Sequence, residues 1–152
     1  MKLFLLLVPL MLLSGCDVEV NHDDDKPEVS YLQLPGMEER NLPFSSAVRV
    51  GNTLYLSGNL GTLPGTLELV EGGIGPETRQ TMENIKSVLE AFGSSMDEVV
   101  KCTVFLVNID EWGAMNEVYT TYFKNPPARS ALGASGLALG ASVEIECIAF
   151  TR

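Results

Sequence analysis

The chain has 152 residues, the size of one ordinary domain, and 45% hydrophobic against 20% charged residues let it bury a core. Twenty acidic residues against ten basic ones give a formal charge of -10, which argues against nucleic acid and anionic lipid headgroups as partners, because phosphate affinity comes mostly from cationic neutralisation. Three cysteines without a Cys-x-x-Cys pair, and one histidine (His22) in a polar stretch, offer no zinc ligand set and no histidine for Ser-His-Asp or Cys-His chemistry.

Lys2 is followed by eleven uncharged, mostly large apolar residues, Leu3 to Leu13. This is the layout of a secretory signal. The run is shorter than the roughly 20 residues a membrane-spanning helix needs, and Pro9 disfavours a continuous helix. Leu13-Ser14-Gly15-Cys16 comes next. It resembles the bacterial lipobox, in which small residues precede the cysteine that becomes the lipidated N-terminus. The alternative is an ordinary signal peptide in which Cys16 is incidental. On the lipobox resemblance, residues 1–15 are a signal peptide and Cys16 carries acyl chains. The membrane is then touched only through that anchor, and the protein is a cell-envelope lipoprotein facing the periplasm. Residues 16–28 form an acidic, solvated tether. Asp23-Asp24-Asp25 lies in it without EF-hand spacing and reads as spacing charge rather than a calcium site.

Residues 29–152 form the domain. Ala47-Val48-Arg49-Val50 and Thr53 to Ser57 alternate around Gly51-Asn52, which predicts a β-hairpin with the positive φ angles of a tight turn. Gly58 to Gly75 is a Gly/Pro-rich loop. Pro76 can open a helix at its first position. Met82, Ile85, Leu89 and Phe92 give that helix one apolar face, and Gly93 stops it. Val99 to Val107 is β-branched and apolar and predicts a buried strand. Asp110 is the expected N-cap of a second helix, with Trp112, Met115, Tyr119, Tyr122 and Phe123 on its apolar face and Asn125-Pro126-Pro127 at its end. Val143 to Phe150 is the final strand. The order is hairpin, helix, strand, helix, strand, strand. That is an α+β fold with both helices on one face of a sheet. Cys102 and Cys147 fall in predicted strands, where small buried hydrophobes are the favoured reading; export leaves a disulfide chemically open.

Two segments carry chemistry. Arg129 follows a Pro-Pro break in Pro127-Ala128-Arg129-Ser130, and Glu144 and Glu146 share one strand face in Val143-Glu144-Ile145-Glu146. An arginine can clasp a carboxylate with two parallel hydrogen bonds, and a carboxylate can orient water or move a proton. Spacing alone favours an exposed salt bridge, or polar positions at a sheet edge.

These segments resemble the RidA/YjgF (endoribonuclease L-PSP-like) family. They occur in that family's order with Ser57-Gly58-Asn59, Arg79-Gln80-Thr81 with Asn84, Val100-Lys101 to Val104, and Asn116 with Tyr119 and Phe123. The resemblance runs from about residue 40 to the C-terminus. It implies a chorismate-mutase-like subunit in a homotrimer with a central barrel, and a site in each intersubunit cleft. It implies hydrolysis of reactive 2-imino and enamine acids to 2-keto acids and ammonia, with no metal or cofactor. Arg129 would bind the substrate carboxylate and Glu144 would activate water. Phe44, Ser57, Gly58, Asn59, Asn116, Ser130 and Ala131 would line or support the pocket. Phe44 stands where the family has a tyrosine, Asn59 where it usually has glutamine, and Ala131 where it often has cysteine. The alternatives are a non-catalytic binder of small 2-keto acids or other carboxylates, and a holdase-like protein. The acidic surface and the missing histidine pair argue against ribonuclease activity.

Overall fold

The computed structural model describes residues 26–151. The signal peptide over 1–15, Cys16 and nearly all of the tether lie outside the described residues. Nine main elements follow in chain order: β1 (Val29–Leu32), β2 (Ala47–Val50), β3 (Thr53–Leu56), β4 (Asn59–Leu60), α1 (Ile74–Ala91), β5 (Val99–Leu106), α2 (Trp112–Tyr119), β6 (Ala128–Gly133) and β7 (Val143–Phe150). They form one sheet in the order β1-β2-β3-β7-β5-β6, with β4 also paired to β7. All pairings are antiparallel except β5 with β6. That parallel pair needs a crossover, which α2 supplies.

Alternation assigns the faces. Cys102, Val104 and Leu106 of β5 and Val143, Ile145, Cys147 and Ala149 of β7 are buried, together with Met82, Ile85 and Leu89 of α1 and Met115 of α2. Lys101, Thr103, Glu144, Glu146 and Ile148 fall on the opposite face. There, Tyr31, Val48, Tyr55 and Ile148 line up in register across four strands, an apolar row that no helix covers. Among the described residues no helix is long and apolar enough to cross a membrane.

The predicted hairpin, buried strand and final strand are present. Both helices form on one face of the sheet, with adjusted ends. α1 begins at Ile74, so Pro76 sits third rather than first. An amide there has no intrahelical partner either, so proline is tolerated. Its C-terminus closes on Gly93 at φ 78°, with the amides of Ser94 and Gly93 donating to Leu89 O (2.8 Å) and Glu90 O (3.3 Å). This is a Schellman closure. The cap before α2 is Asn108 and not Asp110: its side chain accepts from the Asp110 amide at 3.1 Å and opens a 3-10 turn over Ile109–Glu111 that runs into α2. β1 and β4 were not foreseen.

Cys102 and Cys147 are joined by a disulfide, which corrects the reading of two separate thiols. They are buried as expected, but the antiparallel register sets them directly opposite each other, with Cα atoms 4.1 Å apart. That is the close spacing of a non-hydrogen-bonded pair.

Candidate active site in two halves

The first half is built on β6 and α2. The helical segment ends at Tyr122, and after Pro126-Pro127 the chain enters β6, an edge strand in which Arg129 lies opposite Cys102. Arg129 therefore points to the helix face of the sheet. Its Nη1 donates to Asn116 Oδ1 at 2.6 Å. Its guanidinium carbon lies 4.7 Å from the Tyr119 ring centroid and 5.5 Å from that of Trp112. Trp112, Asn116 and Tyr119, spaced by four and three, form one stripe of α2. Arg129 makes no ion pair among the described residues, where the single salt bridge joins Lys86 and Glu90. The exposed salt-bridge reading of Arg129 is thus not what the structure holds. Burial pushes the Tyr119 hydroxyl up to about 12 while the Arg129 charge pulls it down, so the phenol stays neutral in the working pH range. Ala131 follows Arg129 on the same face and packs against the core. Ser130 points the other way and accepts a hydrogen bond from Lys101 Nζ at 2.8 Å, so it does not line this half.

The second half is built on β7 and the β3–β4 turn. Tyr55 pairs with Ile148 and Asn59 with Ile145, so the β3–β4 strand carries one residue more than β7 over this stretch. The surplus bulges at Ser57-Gly58. The bulge brings Gly58 against Glu144, and a Cβ at position 58 would overlap the Glu144 carboxylate. Ser57 Oγ donates to Ser45 O at 2.7 Å, and Asn59 Nδ2 donates to Ser57 O at 2.8 Å, so both side chains brace the bulge. Phe44, 51% exposed, lines a cavity of about 90 Å3 with Leu34, Met37, Ser57, Gly58 and Asn59. Burial first, and the Glu146 carboxylate second, raise the Glu144 carboxyl above its ordinary pKa. A carboxyl so placed holds a proton more readily and can return it.

Within one chain the two halves do not meet. Arg129 shares the row of Cys102 and Cys147, which face the helices, while Glu144, three residues from Cys147, faces the open side. Phe44 sits with Ser57, Gly58 and Asn59, in the half that carries Glu144.

Three residues that support the two halves were not among the candidate site residues. Trp112 was read as a helix-packing residue, and Tyr119 as a helix-packing residue that also stands beside Asn116 in the family's order. Glu77, 4% exposed, accepts from the amides of Ser142 (2.7 Å) and Val143 (3.3 Å) and so anchors the start of β7. Its signal was available, since an acid at 77 lies on the inner face set by Thr81, Ile85 and Val88. The Gln80-Asn84 pair ties the same helix to the bulged strand: Gln80 Nε2 donates to Asn84 Oδ1, and Asn84 Nδ2 donates to Leu60 O and Thr62 O, each at 2.9 Å.

Comparison with known proteins places this arrangement. The profile of the endoribonuclease L-PSP family matches residues 38–151. The 2-iminobutanoate/2-iminopropanoate deaminase of Dermatophagoides farinae is 46% identical over 107 residues, covering 70% of this chain and 84% of that protein. The crystal structure of RidA from an Antarctic Psychrobacter superposes with a TM-score of 0.69 at 37% identity, covering 82% of this chain and 98% of that one. Escherichia coli TdcF with bound serine gives the same TM-score at 27% identity, over 80% of this chain and 94% of that one. The chain belongs to the endoribonuclease L-PSP (RidA/YjgF) family.

Proposed function

We propose that this protein is a hydrolytic deaminase of reactive 2-imino acids, held at the cell envelope by lipidated Cys16 and assembled as a homotrimer. The observation that carries the reading is Arg129: a half-buried guanidinium on an edge strand, held by an amide and two rings, with no ion pair among the described residues. Its unused donors suit the carboxylate of a small 2-imino or 2-keto acid. The deaminase relatives support the same chemistry.

The reaction needs little else. A protonated imine is already electrophilic. Water adds to the imine carbon while Glu144 takes one of its protons, giving a carbinolamine. Glu144 then returns the proton to nitrogen, and as the C–N bond breaks the hydroxyl gives its proton back to the Glu144 carboxylate, which passes it to the departing ammonia, leaving a 2-keto acid and ammonium. For one substrate to touch both Arg129 and Glu144, the helix-side half of one copy must face the open-side half of another. The uncovered row Tyr31-Val48-Tyr55-Ile148 gives copies an apolar surface to bury. Ser57 and Gly58 shape the Glu144 half, Asn116 fixes Arg129, and Phe44 closes the cavity. The Cys102–Cys147 disulfide suits an oxidising compartment, and Leu-Ser-Gly-Cys suits the anchor.

A second reading, a non-catalytic binder of small carboxylates, draws on Phe44, which offers the site a ring without a hydroxyl. Assay of the purified protein with enzymatically generated 2-imino acids, wild type beside Arg129→Ala, separates the two. Deaminase activity lost in the variant supports the enzyme. Ligand binding without turnover in the wild type supports the binder. Light scattering that finds a strict monomer at micromolar concentration contradicts the shared site.

A further inference from the structure

Trp112, on α2, stands beside Arg129. It is the one tryptophan of the chain, it lies in the first turn of α2, and it is 45% exposed. The core does not explain a large ring left that open. What the ring does touch is the Arg129 guanidinium, 5.5 Å from its centroid, with the buried Tyr119 ring 4.7 Å from the same carbon. We infer that Trp112 is a positioning residue: with Tyr119 it holds the Arg129 guanidinium where an acidic side chain would ordinarily sit, and so keeps that charge available to an incoming carboxylate. The inference rests on the proposed role of Arg129.

The physics favours rings over an acid at this place. A carboxylate partner would neutralise the guanidinium, occupy its hydrogen-bonding fork and compete directly with a ligand carboxylate. An aromatic face attracts the cation through its quadrupole and consumes no N–H donor. Arg129 has five donors, and one protein side chain, Asn116, is recorded accepting from them. The acids near the start and end of this helical stripe, Glu111 and Glu117, form no ion pair with it. Asn116 holds one nitrogen, and the buried Tyr119 ring and the more exposed Trp112 ring both lie against the guanidinium. Asn108 caps the turn that carries Trp112 into place. Together they fix the plane of the fork before a ligand arrives, which reduces the ordering cost of binding.

The test uses Trp112→Phe, Trp112→Ala and Arg129→Ala, with folding checked by circular dichroism. Calorimetry with 2-oxobutyrate gives affinity, and the Arg129 Nε–H resonance, shifted by the ring current, gives a ligand-free readout. Trp112→Phe is expected to keep affinity within about threefold and Trp112→Ala to lose about tenfold, the scale of one partly desolvated cation–π contact. Imine turnover in Trp112→Ala should show a raised KM with a smaller change in kcat. The Nε–H resonance should move toward its random-coil position in Trp112→Ala. Unchanged affinity in Trp112→Ala, or a Phe variant as weak as the Ala variant, overturns the inference while loss of binding in Arg129→Ala leaves the carboxylate-binding reading standing. Unchanged affinity in Arg129→Ala overturns that reading itself, and the inference with it.

Discussion

The two halves of the site treat charge in opposite ways. Around Arg129 the protein supplies an amide oxygen and two π-faces, and no carboxylate among the described residues pairs with it, so the cation stays uncommitted. Around Glu144 it supplies burial and a second carboxylate two residues away, so the anion is discouraged and a proton is held more tightly. On the proposed reading, one half binds and the other exchanges a proton. The difference explains their placement. The binding half sits on an edge strand beside a short helix, where a ligand can approach. The proton-exchanging half sits on a central strand, fixed by a bulge and by Glu77.

The largest expected effect comes from separating the halves genetically. Arg129→Ala should weaken binding of small 2-keto acids by roughly 2–4 kcal/mol, the scale of deleting one partner of a buried charge pair, and Arg129→Lys should not rescue it, because an ammonium cannot present a planar fork. Glu144→Gln should keep binding and lose turnover by about a hundredfold or more. Co-expressing the two inactive variants should recover roughly a quarter of wild-type activity, because three-quarters of randomly mixed trimers contain one intact intersubunit site. No recovery at all would break the idea that one site draws on two chains.

The next effect concerns the staple between the halves. Reducing Cys102–Cys147, which spans 45 residues of chain, should lower stability by about 2–5 kcal/mol. Thermal melts with and without reductant read this directly. A melting temperature indifferent to reductant would mean that the bond contributes little beyond two buried sulfurs.

The smallest effects sharpen the Glu144 half. Its raised pKa means that the catalytic carboxylate forms only above the ordinary 4.5, so the acid limb of the rate profile should lie above that value. Glu146→Gln removes the second cause of the shift and should move the limb toward lower pH. The stability sign is the reverse of a salt-bridged acid: a raised carboxyl contributes stability below its unfolded pKa and loses it as pH rises through the folded one. Glu144→Gln should therefore gain slightly in stability at neutral pH, measured by denaturant titration. Phe44→Tyr, which adds a hydroxyl beside Gly58, should raise turnover modestly; an unchanged rate would leave that hydroxyl without a role.

Elements with a strong period were legible from the residues. The 47–56 hairpin, α1, β5 and β7 carry alternation or helical spacing that survives tertiary context. β1 and β4 are four and two residues long, too short to show a period. The motif residues were legible as a set through their resemblance to a family, but their grouping was not. Whether Arg129 and Glu144 share a face depends on how β6 registers on β5 and β5 on β7, and no local pattern encodes that register. The same register decides that Cys102 meets Cys147. Trp112 lay on a stripe that helix packing alone would explain, and Tyr119 was marked by the resemblance without a role, so their contact with Arg129 was invisible until β6 was laid next to α2.

The position of β7 has a consequence for how the molecule comes into being. The last strand in sequence lies between β3 and β5, in the middle of the sheet. Until residues 143–150 are available, the β1-β2-β3 group and the β5-β6 pair have no common partner, and each presents an unpaired edge. Such a chain cannot finish its core until that strand has been made, and its dominant contacts are distant in sequence, which slows folding. If the chain is exported unfolded, as proposed, that delay is useful. It also means that removing the final strand should leave two aggregation-prone fragments of sheet rather than a shortened domain.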